Sequence, residues 1–97
     1  MTMLRFEWDA SKDAANQRKH GVSFEEAKTV FADEHGRLIS DPDHSEDEER
    51  FILIGMSNGF RLLIVCHCER GPDLIRIISA RKADRQERKQ YEGFIHA

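Results

Sequence analysis

Apolar positions along the chain follow two periods. Residues 3–8 (Met-Leu-Arg-Phe-Glu-Trp) largely alternate apolar and polar, which predicts a short strand. Asp9 stands where an N-cap belongs, and Ala10 to His20 reads as a polar helix closed by Gly21 at the C′ position. Ser23 opens a second helix. Glu26, three residues on, completes a capping-box pattern, with Val22 and Ala27 at the staple positions. Phe24, Ala27, Lys28 and Phe31 then recur at helical spacing, which turns Phe24, Ala27 and Phe31 toward a core. Beyond them the pattern becomes strand-like: Arg37 to Ser40, Arg50 to Met56, Arg61 to Cys68 and Leu74 to Arg81. Asn58-Gly59 predicts a two-residue type I′ hairpin, and Arg70-Gly71-Pro72-Asp73 turns the chain again. Asp84 is placed to cap a last helix from Arg85 to about Phe94. Segments 51–56, 62–66 and 74–80 are nearly continuously apolar, as in central strands covered on both faces. The expected fold is α+β: strand, two helices, an antiparallel meander of about four strands, and a C-terminal helix.

Length changes this picture little. Ninety-seven residues make one domain, 1–97, with no room for a large cofactor or a second lobe. No apolar run is long enough to cross a bilayer, and Met1-Thr2-Met3-Leu4-Arg5 lacks a basic region followed by an apolar core, so a cytoplasmic protein is expected. Cys66 and Cys68 sit two apart on a strand, where a bridge would be badly strained, and read as small core residues kept reduced. The net charge of −3 argues weakly against a nucleic-acid binder. Its distribution says more. Residues 33–50 are rich in Asp and Glu, whereas from position 61 onward arginine and lysine predominate, enough to build a local basic surface.

Chemistry is expected where cations gather on the meander. Arg61 begins one strand and Arg81 ends the next, so an antiparallel pairing brings both to one end of the sheet as a phosphate clamp. Arg50 is placed at the far end from the hairpin and is a poorer partner for Arg61. Period-two counting groups Arg81 with Ser79 and Ile77 and sends Arg76 out with Ile78 on the opposite face. His44, amid Glu46, Glu48 and Arg50, has the composition of an acid–base group, and equally that of a solvated acidic loop. Lys19 and His20 suit a helix C-terminus, where cations meet the last carbonyls. Tyr91 is either core or a stacking surface for a base. No spacing matches an EF-hand or zinc site, including Cys66-His67-Cys68, and neither a metal nor another cofactor is expected.

The order of these pieces resembles the BrnT family, small RelE-like ribonuclease toxins of toxin–antitoxin pairs. The resemblance covers nearly the whole chain. It is carried by Phe6-Glu7-Trp8-Asp9, Lys12, Asn16, the run Lys19-His20-Gly21-Val22-Ser23-Phe24-Glu25-Glu26-Ala27, and Phe31. It continues through Asp41, His44, Glu48, Arg50, Gly55, Arg61, then Arg76-Ile77-Ile78-Ser79-Ala80-Arg81, Ala83, Glu87 and Tyr91. It implies a RelE-like fold and an endoribonuclease that cuts RNA without metal, inhibits translation, and pairs with a BrnA-type antitoxin bearing a ribbon-helix-helix domain. Operator DNA would then be met only through the antitoxin, and a toxin homodimer within the complex is compatible with it. In such an enzyme the 2′-hydroxyl attacks the adjacent phosphate, which calls for a base, cations on the phosphorane and a donor to the leaving oxygen. On that reading Arg61 and Arg81 hold the phosphate, His44 or Glu48 is the base, and Arg50 or Tyr91 assists. Lys19, His20, Lys82 and Arg85 are the candidate RNA contacts. Two rivals are a RelE-like binding module without catalysis, acting as corepressor of its antitoxin, and a metal-dependent nuclease using the acidic loop.

Overall fold

The computed structural model describes residues 3–40 and 49–95. Its elements run β1 (Arg5–Glu7), α1 (Ala10–His20), α2 (Phe24–Lys28) continued by a 3-10 turn (Thr29–Ala32), β2 (Arg37–Ser40), β3 (Phe51–Met56), β4 (Leu62–Glu69), β5 (Leu74–Lys82) and α3 (Arg85–Ile95). The strands form one sheet in the order β1-β5-β4-β3-β2. The last four make an antiparallel meander, and β1 joins the outer edge of β5 in parallel.

Local chemistry sets the helix limits. Asp9 accepts the Lys12 N–H at 3.0 Å to start α1, and Gly21 ends it at φ 68°, a conformation that glycine adopts without a Cβ penalty. Ser23 accepts the Glu26 N–H at 3.1 Å, which is half of the expected capping box. The other half is absent, because the Glu26 carboxylate reaches Arg61 and Ser57 instead. Asp13 supplies an acceptor for the Phe24 N–H at 2.9 Å and so ties α1 to the start of α2. At α3 the box is complete: Asp84 accepts the Glu87 N–H at 2.8 Å, and Glu87 accepts the Asp84 N–H at 2.9 Å.

Two apolar layers flank the sheet. On one side Val22, Phe24, Ala27 and Val30 cover Leu63, Val65 and Ile77, with Trp8 edge-on to Phe24 at 6.1 Å. Burying Phe24 completely contributes about 2–3 kcal/mol of transfer free energy. On the other side Tyr91 of α3 packs on Ile54, Leu62 and Ile64. The expectation of strands covered on both faces therefore holds for β3 and β4.

Two local details depart from the sequence reading. The β3–β4 hairpin is not the expected type I′ turn. Phe60 N–H donates to Ser57 C=O at 3.0 Å and Ser57 N–H to Arg61 C=O at 2.9 Å, so the loop has three residues, and Phe60 rather than Gly59 takes the left-handed conformation (φ 60°). A Cβ at Gly59 would lie 3.1 Å from Glu26 Oε2 and would press on the carboxylate that Arg61 and Ser57 hold. The second detail is a bulge. Cys66 pairs with Ser79 and His67 with Ile77, so Ile78 is the extra residue on β5. The alternation of β5 is reset there. Arg76, Ser79 and Arg81 stand opposite Cys68, Cys66 and Ile64, which share one face of β4. Arg76 and Arg81 thus emerge on the same face, contrary to period-two counting.

Candidate active site

The bulge, the end of α1 and the start of β3 together make a cavity of about 430 Å³. Ile52, Ile64 and Cys66 are its floor. Arg50 enters from the residue before β3, Ile78 to Arg81 from β5, and His20 from the last turn of α1. A shallower hollow adjoins it, sharing His20, Ile78 and Ser79 and adding Lys12, Asn16 and Lys19. The combined groove runs along the outer edge of β5, where β1 pairs only with Leu74 to Arg76.

Asn16 holds that edge open at a fixed width. Its Oδ1 accepts the Ala80 N–H at 3.1 Å, while its Nδ2 donates to the carbonyls of Ala80 and Val22, both at 2.8 Å. The side chain is buried and mimics a neighbouring strand, which fixes α1 against β5. Lys19 and His20 therefore reach the groove from a rigid support, at a helix end whose carbonyls favour positive charge.

Arg81 is held in a two-point ion pair with Glu87, Nη1 to Oε1 and Nη2 to Oε2, each at 2.8 Å. The pair raises the Arg81 pKa and lowers that of Glu87, since each charge favours the other. Arg81 also donates to the Lys82 carbonyl at 3.2 Å. The α3 capping box orients Glu87, and Glu87 orients Arg81. Arg50 is different. Its Nε is buried and has no hydrogen-bond partner among the described residues. A guanidinium donor of this kind in a cavity suits an anionic acceptor.

Two arginines, a histidine and a hydroxyl line one cavity, and comparison with known proteins gives it a context. A family model described as "Ribonuclease toxin, BrnT, of type II toxin-antitoxin system" matches residues 8–87. The chain belongs to the BrnT family. It is a ribonuclease toxin of a type II toxin–antitoxin system, which implies an RNA substrate and an antitoxin partner. The crystal structure of the Brucella abortus ribonuclease toxin BrnT matches it with a TM-score of 0.62 at 26% identity, over 87% of this chain and 100% of the other. No curated protein sequence matches. The α+β, RelE-like expectation agrees with this likeness.

Against this BrnT-family framework the expected cluster needs correction. Arg61 and Arg81 do not converge. Arg61 alternates with Leu63 onto the α1–α2 side, where Nε donates to Glu26 Oε2 at 2.9 Å and Nη2 to Gly21 C=O at 3.1 Å and to Glu26 Oε1. Arg81 is on the α3 side with Glu87. The cause is parity: the two residues belong to opposite faces of the sheet even though both lie toward its hairpin end. The companion of Arg81 in the cavity is Arg50, which the sequence reading gave an assisting role and judged only a poorer partner for Arg61.

Tyr91 is also placed elsewhere. It is buried and its hydroxyl donates to Asp33 Oδ2 at 2.6 Å. Burial and that bond push its pKa up to about 12. Burial would raise the Asp33 pKa, but hydrogen bonds from Tyr91 and from the Met56 and His35 N–H groups outweigh it and lower the value. Tyr91 is thus a latch between α3 and the end of the 3-10 turn. His44 and Glu48 lie outside the described residues. Lys19 and His20 line the groove, whereas Lys82 and Arg85 stand exposed at the hairpin end of the sheet. Among the described residues no group of three His, Cys, Asp or Glu side chains is placed to hold a metal ion, and no helix is long and apolar enough to cross a membrane.

Ser79, Asn16 and the joint of Arg50 with His20 escaped the sequence reading. The one visible trace was that Asn16, His20, Arg50 and Ser79 all fall within the motifs shared with the family. Spacing does not reveal such a joint, because it depends on a bulge and on how α1 lies across the sheet.

Proposed function

We propose that this protein is a metal-independent endoribonuclease that acts through 2′-hydroxyl attack in the Arg50–Arg81 cavity. The supporting observation is that Arg50, His20 and Arg81, from three separate stretches of the chain, line one cavity. Arg50 and Arg81 bind the scissile phosphate and offset the charge of the phosphorane. His20 is assigned proton transfer among the described residues of the cavity, since its imidazole nitrogens can accept or donate a hydrogen bond to the reacting oxygens. Ser79 Oγ orients a phosphate oxygen. His44 or Glu48, outside the described residues, is retained as the candidate base. Arg61 is assigned to support of the α1–α2 junction rather than to chemistry.

Cleavage of this type leaves a 2′,3′-cyclic phosphate and a free 5′-hydroxyl, and it lowers translation by destroying transcripts. The chain acts in the cytoplasm as a single RelE-like domain. Its partner is a BrnA-type antitoxin with a ribbon-helix-helix domain, two toxin copies join in the complex, and operator DNA is bound only through the antitoxin.

The test is cleavage of single-stranded RNA by purified protein, with the product ends identified. Arg50→Ala and Arg81→Lys are each expected to lower kcat by about 10²-fold, to relieve growth arrest, and to leave the far-UV spectrum unchanged. Arg61→Lys is expected to reduce stability more than chemistry. Cleavage is expected to persist in excess EDTA; activity that vanishes there and returns with a divalent cation would remove the metal-free mechanism. A purified protein that binds its antitoxin but cuts no RNA would favour the non-catalytic binding module.

A further inference from the structure

The hairpin tip presents one aromatic ring to solvent. Phe60 is 89% exposed, the most exposed of the large apolar side chains described. It is also the one non-glycine residue with positive φ among those described, at 60°. A bulky side chain is disfavoured in this conformation, and glycine would fill the position without the steric penalty of a Cβ. Exposure and strain together mark a side chain that the fold does not need.

The frame beneath it is rigid. Ser57 Oγ accepts the Gly59 and Arg61 N–H groups at 3.2 and 3.3 Å and donates to Glu26 Oε2 at 2.7 Å. Asn58 N–H donates to Thr29 Oγ1 at 2.9 Å. Every backbone N–H from Ser57 to Arg61 thus has an acceptor, and Arg61 pins the loop to the end of α1 through Gly21 C=O. The ring stands on a fixed post rather than on a mobile loop.

We propose that Phe60 is a stacking platform for a base of the RNA substrate, outside the cavity where the phosphate is held. Around the tip the neighbouring side chains are polar or charged: Asn58, Arg61, Glu26 and, from the β5 end, Lys82. A protein partner's hot spot would present clustered apolar surface, and the other exposed apolar side chains lie on β2, at the end of α3 and before β1. A lone ring amid polar groups fits a nucleobase, which brings a π-face and a polar edge. Ile64, opposite Arg81, is four residues along from Phe60, so the tip stands about 13 Å from the Arg81 row at the usual strand rise. An extended RNA strand can bridge that distance.

The inference rests on the reading of the cavity as an RNA-cleaving site. It is tested with Phe60→Gly and Phe60→Trp, by cleavage kinetics on mixed-sequence single-stranded RNA and by binding of the same sequence carrying 2′-O-methyl groups, which lacks the nucleophile. Phe60→Gly is expected to melt higher than wild type, because the strain is gone, yet to raise KM and Kd roughly tenfold. Phe60→Trp is expected to keep wild-type affinity, with indole emission quenched on RNA binding beyond the background of Trp8. A Phe60→Gly protein that binds and cleaves RNA like wild type overturns the stacking role alone. A loss confined to antitoxin binding overturns it in favour of a protein contact. A folded wild type that neither binds nor cuts RNA overturns both this inference and the reading of the cavity.

Discussion

Asn16 shows how much one polar side chain decides here. It makes three buried hydrogen bonds across 6 and 64 residues of sequence. Asn16→Ala leaves two carbonyls and an N–H without partners, at a cost of about 2–3 kcal/mol, and a lower Tm by roughly 10 °C. Thermal melting of that variant, followed by limited proteolysis at the α1 end, checks this; a Tm within a degree of wild type would contradict the clamp. Its role was not legible in sequence, since an asparagine inside a polar helix carries no periodic signal. Glu26 was legible only in part. Its spacing from Ser23 announced a capping box, but Arg61, 35 residues on, offers the carboxylate a charge-assisted bond that outcompetes the local N–H.

At the scale of elements, α3 is fastened at two points, by Glu87 in its first turn to Arg81 and by Tyr91 one turn on to Asp33. The Tyr91 latch has a pH signature. Its folded pKa of about 12 exceeds the unfolded value near 10, so the stability it contributes is complete below pH 10 and is lost between pH 10 and 12. Tyr91→Phe loses the bond to a carboxylate, about 1.5–3 kcal/mol at pH 8. At pH 11 the gap to wild type should narrow by about 1 kcal/mol. Urea unfolding at the two pH values measures it, and a gap independent of pH would place the loss elsewhere. The single tyrosine of the chain makes the titration directly visible by absorbance. Caps and strands were readable at this scale, because they depend on neighbours within a few residues. The hairpin type and the Ile78 bulge were not, because both depend on contacts with other elements.

For the whole molecule, the acidic total conceals a basic groove. The net charge is −3, yet Lys12, Lys19, His20, Arg50 and Arg81 line one continuous depression. Binding to uncleavable single-stranded RNA is expected to weaken with salt, with a log–log slope of about −1.5 to −3 for two to four phosphate contacts. Arg50→Ala should make that slope shallower by about one phosphate's share, whereas Phe60→Gly should weaken binding at every salt concentration without changing it. Titration by fluorescence anisotropy at several ionic strengths reads both. A slope near zero would mean that the groove does not meet the RNA backbone.

The sequence by itself determined the elements, their caps, the two-sided core and the family, because each follows from spacing along the chain and from the burial of apolar side chains. Only the tertiary structure decided which cations meet. A single extra residue in β5 sets side-chain parity, and parity, not proximity in sequence, puts Arg81 in one cavity with Arg50 and leaves Arg61 with Glu26, while the crossing of α1 adds His20.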